Sequence, residues 1–147
     1  SRTMWASIVF ALSQVRPDDY DSAIGAAHRR FGWTAVIIMG VVGLWGLALA
    51  VMKREPGRSY GIGATVASIA LLTQVGMGLW VYVNEDAEWA GNQHVFYGIV
   101  ILFTFSFAYI YRAQLAKRAA LSYGLLGLFL MGLGIRGIQN FGQSFGG

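Results

Sequence analysis

Four long apolar stretches without an internal charge constrain the fold of this chain more than any other feature. They run over residues 31–52, 60–83, 95–111 and 119–135. A helix rises about 1.5 Å per residue, so about 20 apolar residues cross a hydrocarbon core of roughly 30 Å. The stretches are continuous rather than alternating, which disfavours the strands of a membrane barrel. The sequence therefore predicts four membrane-spanning helices.

Short connections join these stretches, over residues 53–59, 84–94 and 112–118. Such connections place successive helices antiparallel, so we expect an all-α, up-down four-helix bundle forming one membrane domain over 1–147. Composition agrees, with 56% hydrophobic residues, 12% charged residues and a mean hydropathy of +0.53. The chain has no cysteine, which excludes disulfides and thiolate metal sites.

Charge predicts the orientation of the bundle. Two connections hold six basic residues, namely Lys53, Arg54, Arg58, Arg112, Lys117 and Arg118. Six acids fall on the other side, namely Asp18, Asp19, Asp21, Glu85, Asp86 and Glu88. The excess of Lys and Arg in cytoplasmic loops places the basic connections inside. We therefore expect a multi-pass protein of a bacterial inner or plasma membrane, with both termini and both histidines outside.

The segment 1–17 precedes the first span. Its apolar part, 4–15, is too short to cross a membrane, and its helical periodicity predicts a short amphipathic helix lying in the interface. It lacks a basic leader and a cleavage site, so we expect no signal peptide. Pro17 with the two acids after it is a helix-start signal, and the first spanning helix is expected to begin near Asp18.

The two histidines stand in matching settings. His28 and His94 each open an apolar run, and each is followed three residues later by an aromatic residue and four later by glycine. That step puts Gly32 and Gly98 on the helix faces of the histidines, where they leave room for a flat macrocycle. Diagonal helices of an up-down bundle let the imidazoles meet across its axis. The pattern predicts a planar metal cofactor between them; an isolated interfacial histidine is more often a hydrogen-bonding or headgroup contact.

Small and basic residues complete the candidate site. Gly43 and Gly46 are expected to extend the macrocycle face below the first histidine. The basic residues Arg29, Arg30 and Arg136 fall at the same level, where they can pair with haem propionates or with lipid phosphates.

Other polar and small residues favour structural roles. We interpret Gln74 as an interhelical hydrogen-bonding residue. The glycine and alanine rows of the second and fourth spans predict close helix packing.

Several functions are disfavoured. No Asp, Glu or Lys lies inside a span, which argues against a proton relay or ion-coupled transport. The hydrolase, zinc-protease and P-loop motifs are not found. A zinc site would need carboxylates from residues 18–21 or 85–88, and their spacing does not support one.

A His-Arg pair opening one span, with a second histidine opening the next but one, resembles the four-helix haem-b membrane proteins. Cytochrome b561-type proteins and the halves of haem A synthase are the nearest comparison. In those families histidines on facing helices ligate haem, so the resemblance implies one haem b, bound by His28 and His94. Those proteins often carry a second haem-binding histidine pair, whereas this chain has only two histidines. The comparison therefore argues against electron transfer across the membrane by this chain alone.

Two functions remain. One is a haem-b-binding protein in electron transfer, a small subunit of a respiratory-type complex whose role is non-catalytic; the enzymatic variant, a haem-handling enzyme, would need a labile ligand. The alternative is a cofactor-free accessory subunit of a respiratory or photosynthetic complex. Apolar rings such as Phe103, Phe105, Phe107 and Phe129 exceed what four helices can cover, so both predict a larger membrane partner alongside the lipid bilayer. Nucleic acid is not an expected partner, since the basic residues flank apolar spans.

Overall fold

The computed structural model describes residues 2–13, 23–84 and 91–143, and their regular structure is helical throughout. In chain order the elements are α1 (Arg2–Ser13), α2 (Ala23–Val51), α3 (Arg58–Asn84), α4 (Asn92–Ile110), α5 (Arg112–Leu115), a 3-10 turn (Ala116–Arg118) and α6 (Ala119–Gln139). By length and composition, α2, α3, α4 and the segment Arg112–Gln139 can each cross a membrane. The predicted all-α fold with four membrane helices is confirmed.

The observed helices extend beyond the predicted apolar spans into polar residues. α2 includes residues 23–30 ahead of the predicted apolar span 31–52, and no proline interrupts this stretch. The connection 112–118, predicted as a loop, is helical as α5 and the 3-10 turn. The start expected near Asp18 lies outside the described residues.

The four long helices pack as a closed ring. α2 packs against α3 and α6, and α4 packs against the same two helices. α2 and α4 therefore stand diagonally, as expected of an up-down bundle. The buried side chains at the centre come from all four helices, among them Met39, Leu71, Ile101 and Leu130.

Among the four long helices, α2 and α6 bring their backbones closest together. A Cβ atom on Gly43 would lie 2.7 Å from the Leu128 nitrogen, and one on Gly127 would lie 2.7 Å from Cα of Gly43. One turn further, a Cβ atom on Gly46 would lie 2.8 Å from Cα of Gly124. The expectation that Gly43 and Gly46 extend a macrocycle face is therefore wrong, because both are used in packing against α6.

The predicted close packing holds at only some of the small residues. Ala67 of α3 is completely buried, at 0% exposure. Around Gly61 and Gly132, by contrast, an added Cβ atom would have no neighbour within 4 Å. Glycine content alone therefore overstates the packed surface of α3 and α6.

Candidate cofactor site

His28 of α2 and His94 of α4 meet across the axis of the bundle. Their ring centroids lie 5.9 Å apart and their planes cross at 77°. Both imidazoles are partly buried, five or fewer residues from the starts of their helices. The predicted meeting of the two imidazoles is confirmed.

Each imidazole is held through the same nitrogen. His28 Nδ1 lies 2.9 Å from the carbonyl oxygen of Gln74, and His94 Nδ1 lies 2.8 Å from that of Gly137. A carbonyl oxygen only accepts, so Nδ1 is the donor in both rings. In the neutral imidazole the lone pair is then on Nε2, which has no hydrogen-bond partner among the described residues. Both rings are in the tautomer that ligates a metal through Nε2.

The two carbonyl groups are accessible for different reasons. Gly137 lies in the last turn of α6, where carbonyl groups have no partner within the helix. The Gln74 carbonyl lies within α3, one turn before Gly78. A Cβ atom on Gly78 would lie 2.8 Å from Cε1 of His28. The missing side chain at Gly78 is therefore what lets this ring reach α3.

Gln74 returns the contact from α3 to α2. Its Nε2 donates to the carbonyl oxygen of His28 at 2.7 Å. This confirms the predicted interhelical hydrogen bond. A Cβ atom on Gly32 would lie 3.2 Å from that amide nitrogen, so Gly32 makes room for Gln74. The other amide atom, Oε1, is buried and has no hydrogen-bond partner in the part of the chain that the structure describes.

A cavity of about 360 Å³ surrounds the two rings. Five of the predicted site residues line it, namely His28, Arg29, Gly32, His94 and Gly98. Its wall also includes residues that the sequence analysis did not assign to the site, namely Val36, Leu71, Val75, Gly78, Tyr97, Ile101, Leu133, Gly137 and Phe141. Arg30 and Arg136 are exposed and do not line it. The volume lies within the range of small-molecule and cofactor sites, about 300–1,000 Å³.

The separation of the two rings matches that of two imidazoles bound to one metal ion. Imidazoles that bind one ion through Nε2 at about 2 Å each hold their ring centres roughly 6 Å apart, close to the observed 5.9 Å. A Cβ atom on Gly98 would meet only Cγ1 of Val75, at 4.0 Å, so the α4 wall leaves space beside the second histidine. The donor set and its spacing therefore fit a planar metal cofactor that needs only axial protein ligands.

A bare metal ion has less support. Within 2–13, 23–84 and 91–143, no three His, Cys, Asp or Glu side chains cluster as ligands. The carboxylates of the zinc alternative, in 18–21 and 85–88, lie outside the described residues. The two imidazoles alone cannot supply the four-coordinate shell of a structural zinc.

Comparison with known proteins yields no relative. No protein-family model matches the chain, and neither a curated protein nor a solved structure matches it. The likeness to four-helix haem-b proteins thus stays a prediction.

Proposed function

We propose that this chain is a haem-b-binding integral membrane protein in electron transfer, with His28 and His94 as the axial ligands. One observation carries the proposal: two imidazoles from diagonal helices, each with Nδ1 bonded to a carbonyl oxygen, lie 5.9 Å apart in an apolar cavity. Haem bound there would supply one-electron chemistry.

The residues of the chain orient the ligands and exclude water. The carbonyl groups of Gln74 and Gly137 fix the two rings and increase the basicity of each Nε2. His28 and His94 would leave no open coordination position on the iron. This would favour electron transfer rather than oxygen activation, and it would give the chain a non-catalytic role. Arg29 lines the cavity and is the first candidate partner for a propionate.

Absorbance spectroscopy tests the proposal. Protein purified from haem-replete membranes is expected to show low-spin Soret and α bands, and His28→Ala and His94→Ala should each lose them because one axial nitrogen is removed. Helix content and elution volume of the variants, measured by circular dichroism and size-exclusion chromatography, control for misfolding. Wild-type protein without these bands, even after addition of haemin, would contradict haem binding.

The angle between the imidazoles gives an independent prediction. Because backbone carbonyl groups on α3 and α6 fix the rings, the 77° crossing should persist with haem bound. Nearly perpendicular axial rings leave two iron d orbitals close in energy, which gives a strongly anisotropic low-spin ferric signal. Electron paramagnetic resonance at low temperature measures it. A rhombic spectrum, typical of parallel rings, would refute this arrangement.

The orientation proposed from charge, with both termini outside, is tested by cysteine labelling. The chain has no native cysteine, so single replacements need no background removal. We expect Lys53→Cys to react with a membrane-impermeant maleimide only after the membrane has been permeabilised. Asp86→Cys is expected to react in intact cells. The reverse pattern would invert the topology.

A cofactor-free accessory subunit is the second candidate, and the aromatic outer surface suits it as well as the first. Phe103 is 71% exposed, Phe129 54% and Phe107 51%. Apolar rings on this surface suit helices of a larger membrane complex, and the electron-transfer proposal also includes such a partner. Purification in mild detergent with cross-linking in native membranes tests for it. A solitary monomer in both experiments would argue against a host complex.

A further inference from the structure

A cleft rimmed by cations lies at the opposite end of the bundle from the histidines, about 35 Å away along α2 at 1.5 Å per residue. This open groove has a volume of about 470 Å³ and lies between the end of α2, the connection to α3 and the start of α6. Its charged residues are Lys53, Arg54, Glu55, Lys117 and Arg118. Four cations against one carboxylate give the rim a net positive charge, and none of the four forms an ion pair with any residue that the structure describes.

The apolar side chains that line the cleft are exposed on the surface of the bundle. It includes Leu47 and Val51 of α2 and Leu121 of α6. Val51 is 83% exposed and Leu121 is 38% exposed. An apolar wall beneath a cationic rim, at the end of membrane-spanning helices, matches a ligand with an anionic head and a hydrocarbon tail.

The backbone at Lys53 supports a role for its charge. Lys53 lies two residues after the end of α2 and has a φ of 54°, in the left-handed region. Its N–H donates to the Ala50 carbonyl oxygen at 3.1 Å, and that of Arg54 donates to Leu49 at 2.9 Å. This is a helix C-terminal motif in which glycine usually occupies the left-handed position, because a Cβ atom is unfavourable there. A cation stands where glycine would suit the fold better.

We propose that this cleft binds an anionic phospholipid. The phosphate contacts Lys53, Lys117 and Arg118 at the rim, and an acyl chain lies on Val51 and Leu121. Basic pockets between membrane helices are known to accept anionic lipid head groups, and charge-assisted bonds to phosphate favour the guanidinium and ammonium donors present here. The site is independent of haem binding, since it lies at the other end of the bundle.

Lipid titration tests the site. Delipidated protein in a neutral detergent is titrated with phosphatidylglycerol, phosphatidylcholine or inorganic phosphate, and bound lipid is counted by native mass spectrometry. We expect phosphatidylglycerol to bind tightest, with an affinity that falls as salt is raised. Lys53→Gly should weaken its binding about fivefold without lowering the melting temperature, because glycine suits the left-handed position. The triple variant, which adds Lys117→Gln and Arg118→Gln to Lys53→Gly, should bind phosphatidylglycerol roughly a hundredfold more weakly than wild type.

Two other cations serve as matched controls. Arg58 does not line the cleft, and Arg112 is engaged with the carbonyl oxygen and the ring of Tyr109. Arg58→Gln and Arg112→Gln each remove one positive charge from the same end of the bundle. Because neither residue lines the cleft, binding of phosphatidylglycerol should be unchanged. Equal binding of phosphatidylcholine, equal losses in the controls, or saturation by inorganic phosphate at the same affinity would each overturn the proposal.

Discussion

Replacement of Gly127 by alanine is expected to loosen the contact between α2 and α6 and to destabilise the whole bundle. The new Cβ atom would lie 2.7 Å from Cα of Gly43, and a backbone atom cannot rotate away as a side chain can. The helices must separate, which removes close contacts along the pair. Overpacking of this kind costs typically about 1–3 kcal/mol. Unfolding in mixed micelles with increasing sodium dodecyl sulfate measures the loss.

Gly132→Ala is the matched control on the same helix, because an added Cβ atom there has no neighbour within 4 Å. Alanine also favours the helix over glycine by about 1 kcal/mol. The control variant should therefore be as stable as wild type or more stable, while Gly127→Ala is less stable. If the two variants unfold at the same detergent fraction, the close contact does not determine stability.

The second large effect is expected at Gly78. Valine there would place its Cβ atom 2.8 Å from Cε1 of His28, so the ring must turn away and lose its bond to the Gln74 carbonyl oxygen. Loss of such an orienting partner typically weakens metal binding about 10–100-fold. On the proposed function, haem titration of the purified variant should show this loss although Gly78 ligates nothing.

Gly76→Val separates this effect from a general disturbance of α3. A Cβ atom on Gly76 would have no neighbour within 4 Å, and the residue lies on the same helix two positions earlier. Its haem affinity and its stability should match those of wild type. Wild-type affinity in Gly78→Val would show that the orientation of His28 does not depend on the open space at this glycine.

Local properties of the sequence predicted most of the fold. Apolar runs fix the membrane helices because burial in lipid needs only length and hydropathy. The meeting of His28 and His94 followed from two further facts: both open odd-numbered spans, and such spans stand diagonally in an up-down bundle. The hydrogen bond of Gln74 to α2 was also predictable, because a buried amide at that depth needs a partner.

The details of the site depend on neighbours that no local pattern reveals. The acceptors at Gln74 and Gly137 are backbone oxygens, which every residue has, so no residue type indicates them. Gly78 could have been noticed only as the residue one turn after Gln74. Gly43 was assigned to the wrong partner because the face of a helix that meets α6 depends on helix rotation, and an all-apolar helix gives no periodic signal for it.

The hydrogen bond from His94 to Gly137 has a consequence for biogenesis. The acceptor lies in the last turn of α6, so both imidazoles are oriented only after α6 has entered the membrane. A nascent chain that has inserted three helices would hold His28 against α3 while His94 still lacks its acceptor. Any cofactor that needs both rings can therefore be loaded only after α6 has been synthesised and inserted, and truncation before Gly137 should leave the protein without it.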